Sequence, residues 1–174
     1  MTGEKVALRA VELADVEVIH RWENDPEVWK VSNTITPFSR YLIEQYVLNS
    51  DQDIFAAKQL RLMIDRIDGP QVIPVGAIDL FEFEPMHRRA GVGILIDRGN
   101  RGAGLASEAL QLIKSYAFET LQLHQLYCHI HEDNVESLKL FQKHGFIITG
   151  TRKEWLLYRG VFINEHLLQC INSI

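Results

Sequence analysis

The order of apolar and polar residues predicts one strand and three short helices in the first 50 residues. Residues 6–9 alternate between apolar and polar, which is typical of a half-buried strand. Three segments with helical spacing follow, and residues suited to helix starts precede them at Asp15, Asp25-Pro26 and Ser39. The first of these helices is expected to bury Val16, Ile19 and Trp22, and the third, which ends near Asn49, to bury Leu42, Tyr46 and Val47.

Strands dominate the pattern from residue 55 to residue 96. Residues 55–67 and 72–83 are predicted to form an antiparallel hairpin, because the Asp68-Gly69-Pro70 sequence between them is a turn signal. Residues 90–96 are short and mostly apolar, which is the pattern of a strand buried on both faces.

The second half of the chain alternates helices with strands. An apolar stripe over residues 105–121 predicts a core-facing helix, and residues 126–130 predict a strand. Residues 135–144 predict a helix that begins after Asn134 and ends at Gly145. The remaining predicted strands are residues 146–149, 155–157 and 161–171, with Arg159-Gly160 as a turn.

Element order and composition together indicate a single domain, residues 1–174. A hairpin followed by alternating strands and helices predicts the α/β class in its mixed (α+β) form, a twisted mixed sheet with helices on both faces. Apolar residues make up 47% of the 174 residues and charged residues 24%, which excludes a disordered tail, a collagen-like repeat and a disulfide miniprotein. The two cysteines cannot by themselves form a disulfide framework or a four-ligand zinc site, and no metal is expected.

Charge argues against a nucleic-acid partner and divides the chain into two unlike halves. The net charge of −5 does not suit a protein that binds nucleic acid through overall positive charge. Residues 1–87 carry 8 basic and 15 acidic side chains, whereas residues 88–174 carry 10 basic and 8 acidic. A cationic ligand is therefore expected to favour the first half and an anionic ligand the second. Neither a signal peptide nor a membrane-length apolar stretch is recognisable, so we expect a cytoplasmic protein without a membrane partner.

The segment most informative about chemistry is residues 99–107, a glycine-rich turn between the buried strand and the amphipathic helix. Gly102 and Gly104 leave backbone N–H groups unobstructed, and the helix N-terminus adds partial positive charge. Arg101 can pair with a phosphate through two N–H groups. The turn therefore predicts a phosphate or pyrophosphate site. The sequence has no G-x-G-x-x-G and no Walker lysine here, which argues against dinucleotides and ATP.

Two blocks of this sequence resemble the GNAT (Gcn5-related) N-acetyltransferase family. Residues 101–106, RGAGLA, are similar to that family's R/Q-x-x-G-x-G/A signature. Residues 131–146, HEDNVESLKLFQKHGF, are similar to its next helix, N-x-x-S/A-x-x-x-Y/F-x-K-x-G-F. The resemblance implies a sheet of six to seven strands whose two parallel central strands splay apart. It also implies acetyl-CoA as co-substrate, with the pantetheine arm between those strands.

The resemblance implies which residues contact acetyl-CoA. The strand residues Ile94, Leu95 and Ile96 would face the pantetheine arm through backbone hydrogen bonds, Asn134 would contact it, and Phe141 would border the thioester. The pyrophosphate would be bound by Arg101, Gly102, Ala103, Gly104, Leu105, Ala106 and Ser107. Each residue also has an ordinary structural explanation, since apolar strand residues fill any sheet core and asparagine caps many helices.

Acetyl transfer to an amine requires proton transfers that the sequence assigns only in part. The amine must be neutral to attack, so a general base is expected nearby. The preferred base is Glu82, which a period of two places on the same strand face as Glu84. Many relatives use a tyrosine as the acid at the position of Phe141, and a phenyl ring cannot donate a proton. The acid is left unassigned among His144, His129, Tyr127, solvent and the acceptor's own proton.

The acceptor is narrowed by resemblance to two branches of the family. They are the ribosomal-protein N-terminal acetyltransferases and the bacterial spermidine/spermine acetyltransferases, and the second is slightly more similar through residues 87–89 and the glycine-rich turn. A polyamine is therefore the expected acceptor, with a protein N-terminus or an aminoglycoside as alternatives. Residues 31–38 lack the acidic cluster of the polyamine enzymes, which argues against an allosteric polyamine site of their kind. A degenerate acyl-CoA-binding or sensor module is a further alternative because of Phe141, and a homo-oligomer is compatible with the sequence.

Overall fold

The structure is a computed structural model that describes residues 1–32, 34–50, 53–69 and 71–172. Within these ranges the strands are β1 (Val6–Ala10), β2 (Leu60–Asp68), β3 (Gln71–Glu84), β4 (Arg89–Ile96), β5 (Gln125–His131), β6 (Ile147–Tyr158) and β7 (Val161–Ile171). The helices are α1 (Val16–Glu23), α2 (Pro26–Ser32), α3 (Arg40–Leu48), α4 (Ile54–Ala57), α5 (Leu105–Ser115) and α6 (Val135–Lys143).

The described strands form one seven-stranded sheet in the order β1-β2-β3-β4-β5-β7-β6. All neighbours are antiparallel except β4 and β5, which are parallel. These two central strands pair only at Arg89–Gln125, Ala90–Leu126 and Gly91–Tyr127. Beyond Gly91 they separate, so the predicted mixed sheet with splayed central strands is confirmed.

Helices cover both faces of the sheet, as predicted. The larger core cluster packs α5 and α6 against one face, with Leu110, Ile113 and Phe141 among its members. The smaller cluster packs α1 and α3 against Met63 on the other face, which we call the α1/α3 face. Apolar stripes on the helices meet apolar strand residues on both sides, and this burial is the main driving force for the fold.

Several predicted helix ends are confirmed by their hydrogen bonds. The Ser39 hydroxyl accepts from the Leu42 N–H, the Asn134 side chain accepts from the Ser137 N–H, and Gly145 has a left-handed φ of 84°. Asp15 does not cap α1, because its carboxylate accepts from the Glu12 N–H and from Arg9.

Other predictions were wrong in detail. Leu42 is half exposed and Ile43 takes the inward position on α3. The strand expected over residues 55–67 begins at Leu60, since residues 54–57 form α4. The helix expected over residues 105–121 is α-helical only to Ser115 and then continues as a π-helical turn, Tyr116–Thr120. The turn signal at residues 68–70 includes Pro70, which lies outside the described residues.

The C-terminal strands also differ from the prediction in one respect. Residues 146–149 and 155–157 were expected as separate strands, but residues 147–149 and 155–157 belong to one strand, β6, which pairs with β7 through two irregularities. Bulges of this kind let a long strand keep pairing while its side-chain alternation is interrupted, which hides its continuity from a period-two pattern.

Candidate functional site

The glycine-rich turn forms an exposed cradle of backbone donors at the start of α5. Gly102 and Gly104 both have a φ of 81°, a left-handed conformation that favours glycine. Gly104 directly precedes the first helical residue, Leu105, so the free N–H groups of the first turn of α5 follow the loop. Arg101 donates from Nε to the Ile96 carbonyl at 3.1 Å, which fixes its stem and leaves its two terminal nitrogens without a partner among the described residues. The geometry suits an anionic phosphate group.

A residue that the sequence analysis missed ties this cradle to the first strand. The Glu108 carboxylate accepts hydrogen bonds from the backbone N–H groups of Glu4, Lys5 and Val6, each at 2.8 Å. Burial raises the pKa of Glu108, but these three donors lower it by more, and the net shift is downward. The Lys5 ammonium also donates to the Ala103 carbonyl at 3.4 Å. No local motif predicts these contacts, because they join residues about a hundred positions apart.

A cleft of about 870 Å³ runs from the cradle along the free end of β4. Of the predicted co-substrate residues it is lined by Ile94, Leu95, Ile96, Arg101, Gly102, Gly104, Leu105, Ala106, Ser107 and Asn134. Residues of α2 and the β6–β7 turn complete its wall, among them Lys30, Tyr158 and Arg159. Ala103 belongs to the loop but does not line the cleft.

A second, smaller cavity of about 100 Å³ lies between the splayed strands. Its walls are Val92, Gly93 and Ile94 of β4, residues 128–131 of β5, and Phe141 of α6. It shares Val31, Ile94, Asn134 and Ser137 with the larger cleft, so the two are adjacent. Phe141 lines the smaller cavity and not the larger cleft.

Glu82 lies at a bulge in β3 rather than on a regular strand. Phe81 pairs with Gly91 and Glu84 with Arg89, so β3 has an extra residue here, and Glu82 has a φ of 47°. The period-two argument for Glu82 and Glu84 is therefore wrong. The bulge aims the exposed Glu82 carboxylate at Tyr127, whose hydroxyl donates to Oε2. Burial raises the pKa of Tyr127, and the Glu82 carboxylate raises it further by a smaller amount.

The other proposed acids occupy different places. Tyr127 and His129 point to the α1/α3 face and meet edge to face, with ring centroids 5.7 Å apart. His129 lines the smaller cavity, but His144 lines neither the cavity nor the cleft. His144 Nε2 instead lies 2.8 Å from Ser107 Oγ, and its pKa is lowered by burial and by Lys114 and Lys143.

A buried ion-pair network also lies on the α1/α3 face and was not foreseen. Arg61 donates to both oxygens of Asp79 at 2.7 and 3.1 Å and to Glu23 at 2.6 Å. The Tyr46 ring stacks on the guanidinium at 5.3 Å. Asp79 is the register partner of Gly93, a wall residue of the smaller cavity, but none of the network's side chains lines either cavity.

Comparison with known proteins decides what this arrangement is. The model of the acetyltransferase (GNAT) domain family matches residues 5–147. The chain belongs to the GNAT acetyltransferase family. It is an N-acetyltransferase with acetyl-CoA as co-substrate, and the predicted fold, enzyme class and co-substrate are confirmed.

Individual GNAT proteins resemble the chain over almost its whole length. It is 27% identical over 172 residues to spermidine N(1)-acetyltransferase of Escherichia coli, covering 98% of this chain and 87% of that protein. Spermidine N-acetyltransferase of Vibrio cholerae, solved in complex with CoA and spermine, has a TM-score of 0.88 at 23% identity and 98% coverage of both chains. The dodecameric form of the Vibrio cholerae protein has a TM-score of 0.80 at 24% identity, covering 98% and 96% of the two chains. These structures show that the fold is shared.

The residues present fit acetyl-CoA. The left-handed glycines leave a cradle for the pyrophosphate, and β4 beyond Gly91 has an unpaired edge for the amides of the pantetheine arm. No helix in the described ranges is long and apolar enough to cross a membrane. The same ranges contain no group of three or more His, Cys, Asp or Glu side chains that could hold a metal ion.

Proposed function

We propose that this acetyltransferase transfers the acetyl group to a primary amine of a polyamine of the spermidine and spermine kind. The amine attacks directly while both substrates are bound. The observation that carries the proposal is the exposed carboxylate of Glu82, which accepts from the Tyr127 hydroxyl beside Gly91–Tyr127, the last pair before β4 and β5 separate. A carboxylate at that position attracts a cationic amine and accepts its proton.

The co-substrate residues keep the roles that the sequence suggested. Backbone groups of residues 94–96 bind the pantetheine arm along the free edge of β4, and residues 101–107 bind the pyrophosphate. Asn134 lines both cavities, which supports a contact with the arm near the thioester. Phe141 supplies an apolar wall there, because it is buried against Phe146 with ring centroids 5.0 Å apart.

Charge and similarity both favour a cationic acceptor. The first half of the chain, which supplies the α1/α3 face, carries an excess of acidic side chains. Arg61 neutralises part of this excess by pairing with Glu23 and Asp79, whereas the Glu82 carboxylate is exposed and has no cation paired with it among the described residues. Both named relatives are spermidine acetyltransferases by their descriptions.

We also propose that the enzyme is a homo-oligomer. The outer hairpin of β6 and β7 exposes Trp155, Leu157, Val161 and Phe162, each more than half accessible. An edge strand with exposed apolar side chains is a surface that a second copy can cover. The dodecameric Vibrio cholerae neighbour is consistent with this interpretation. The mass measured by light scattering tests it, and a monomer at micromolar concentration contradicts it.

The acceptor is tested by following CoA release with spermidine, spermine, an aminoglycoside and a ribosomal N-terminal peptide in parallel. We expect the polyamines to be acetylated fastest. Glu82→Gln is expected to lower kcat/KM for the polyamine about 100-fold, because both charge attraction and proton acceptance are lost. Glu84→Gln on the same strand is the matched control.

Three results contradict the proposal in different ways. Preference for the peptide or the aminoglycoside would assign the acceptor to one of the alternative classes. Binding of acetyl-CoA without turnover of any of the four amines would favour the degenerate acyl-CoA-binding module. Equal losses in Glu82→Gln and Glu84→Gln would remove Glu82 from its role as the base.

A further inference from the structure

The site lacks an assigned source of the proton that the departing sulfur needs. Phe141 holds the position at which many relatives have a tyrosine, and its phenyl ring has no proton to give. The titratable side chains that line the smaller cavity are Cys128, His129 and His131. Burial raises the pKa of Cys128, which belongs to the larger core cluster on the opposite face from α1 and α3. The two histidines are therefore the candidates.

The Glu165 carboxylate lies beside the His129 ring and is held in place by Arg152. Glu165 Oε2 lies 3.5 Å from His129 Nδ1, and the Glu165 side chain is only 5% exposed. The Arg152 guanidinium donates to the same oxygen at 2.9 Å and holds the carboxylate in place. Because the two nitrogens lie on different sides of the ring, Nε2 is left without a partner among the described residues.

His131 is placed less favourably for proton transfer. Its Nδ1 and the Nδ1 of His129 are both buried with no hydrogen-bond partner in the described part of the chain. The difference is the Glu165 carboxylate, which makes an ion-pair contact with His129 Nδ1 at 3.5 Å, whereas no ion pair to His131 occurs among the described residues. Burial and Lys30 lower the pKa of His131 more than Asp133 and Glu165 raise it. A ring beside a carboxylate is the better placed proton donor.

The two other side chains considered as the acid, Tyr127 and His144, are excluded by their contacts. The Tyr127 hydroxyl donates to Glu82, so its proton is already committed. His144 lies outside both the cleft and the cavity, beside Ser107.

We propose that His129 donates the proton to the departing coenzyme sulfur, in the role that Phe141 cannot perform, with Glu165 as its positioning residue. This inference rests on the proposed transfer to an amine at the same site. The amine nitrogen forms a bond to the acetyl carbon as the carbon–sulfur bond breaks and its electron pair remains on sulfur. The proton that leaves nitrogen passes to Glu82, the proposed base, and the proton that reaches sulfur comes from His129. Both side chains exchange protons with water after the products leave.

The ionisable groups around the His129 ring come from three elements. Tyr127 and His131 flank it on β5, and Glu165 faces it from β7. Arg152 on β6 is bonded to Glu165. A change in the kcat–pH profile is therefore assigned to His129 only if His129→Gln shows it and His131→Gln does not.

The kinetic test compares His129→Gln with His166→Gln. His166 is on β7 beside Thr151, outside both cavities, and is the matched control. We expect His129→Gln to lower kcat about 100-fold with whichever amine the wild type acetylates fastest, and to leave KM for acetyl-CoA within about twofold. We also expect one limb of the kcat–pH profile to disappear, the limb on which kcat falls as the pH rises and the proton donor is deprotonated. Adding Phe141→Tyr to His129→Gln is expected to restore at least about tenfold of the lost kcat, because the tyrosine supplies the missing donor.

Two outcomes would overturn the proposal. One is a kcat for His129→Gln within about threefold of wild type with an unchanged pH profile. The other is loss of that pH limb in His131→Gln but not in His129→Gln. Because the amine is chosen by turnover, failure of the polyamine assignment does not affect this test.

A second measurement requires no amine and no turnover. The imidazole signals of His129 are followed by NMR on addition of CoA and of desulfo-CoA, which lacks the thiol. We expect CoA to shift the imidazole signals of His129 and desulfo-CoA to leave them close to those of the free protein. Identical shifts with the two ligands would place the sulfur away from His129 and overturn the proposal.

Discussion

The proposed coenzyme side and the proposed proton-transfer side of this site are built in different ways. The coenzyme side comes from continuous segments, since residues 101–107 and the Asn134 cap each carry their geometry in local sequence. The proton-transfer side combines Glu82 with Tyr127, 45 positions away, and His129 with Glu165 on another strand. Local backbone rules therefore determine the first region, whereas sheet register and a bulge determine the second.

The largest effect is expected from breaking the Arg61 ion-pair network on the α1/α3 face, which, like the proposed proton-transfer side, joins residues distant in sequence. Arg61→Ala leaves the carboxylates of Glu23 and Asp79 unpaired, and the three side chains are only 16–18% exposed. Removal of one partner from a buried pair costs about 3 kcal/mol or more, which corresponds to a fall in Tm of roughly 10 °C for a domain of this size. Thermal unfolding followed by circular dichroism measures it.

The matched control for Arg61 is an ion pair in solvent. Arg40 pairs with Glu17 at 2.6 Å, but both side chains are about two-thirds exposed. Arg40→Ala is expected to cost less than about 1 kcal/mol, because exposed pairs are screened by water. Similar losses of stability in the two variants would show that the buried Arg61 network stabilises the fold no more than an exposed ion pair does.

The next effect concerns the coenzyme side and its dependence on local backbone geometry. Gly104→Val forces a β-branched residue into a φ of 81°, and its Cβ would lie 3.4 Å from Lys5 Nζ. We expect the affinity for CoA, measured by calorimetry, to fall about 100-fold, which is on the order of 3 kcal/mol. Gly99→Ala is the control, since Gly99 has open space and no left-handed conformation. If Gly104→Val binds CoA as well as Gly99→Ala does, the cradle does not depend on that conformation.

This contrast explains what the sequence could and could not predict. Helix caps at Ser39 and Asn134 and the turn at Gly145 follow from side-chain chemistry within a few residues, and these predictions were confirmed. Asp15 was misassigned because a distant arginine, Arg9, competes for its carboxylate. Glu82 was proposed as the base from the pattern of a regular strand, but it lies at a bulge that aims its carboxylate at Tyr127, 45 positions away. The pairing of His129 with Glu165 depends on the register of β5 and β7, which no local pattern specifies.

The smallest effect is expected at Glu108, which lies on the helix after the glycine-rich turn but bonds to residues about a hundred positions away. Its carboxylate accepts three backbone N–H groups of residues 4–6 and so joins α5 to β1. Glu108→Gln is expected to cost about 1–2 kcal/mol of unfolding free energy, whereas Glu119→Gln, at an exposed position, should cost little.

The pH dependence of that loss has a definite sign. The folded-state pKa of Glu108 lies below its ordinary value, so its stabilisation is present above the ordinary carboxylate pKa and is lost as the pH falls through the folded value. The difference in Tm between wild type and Glu108→Gln is therefore expected to be largest near neutral pH and to shrink in acid. A difference that grows in acid would mean that the ionised carboxylate does not hold β1 to the coenzyme helix.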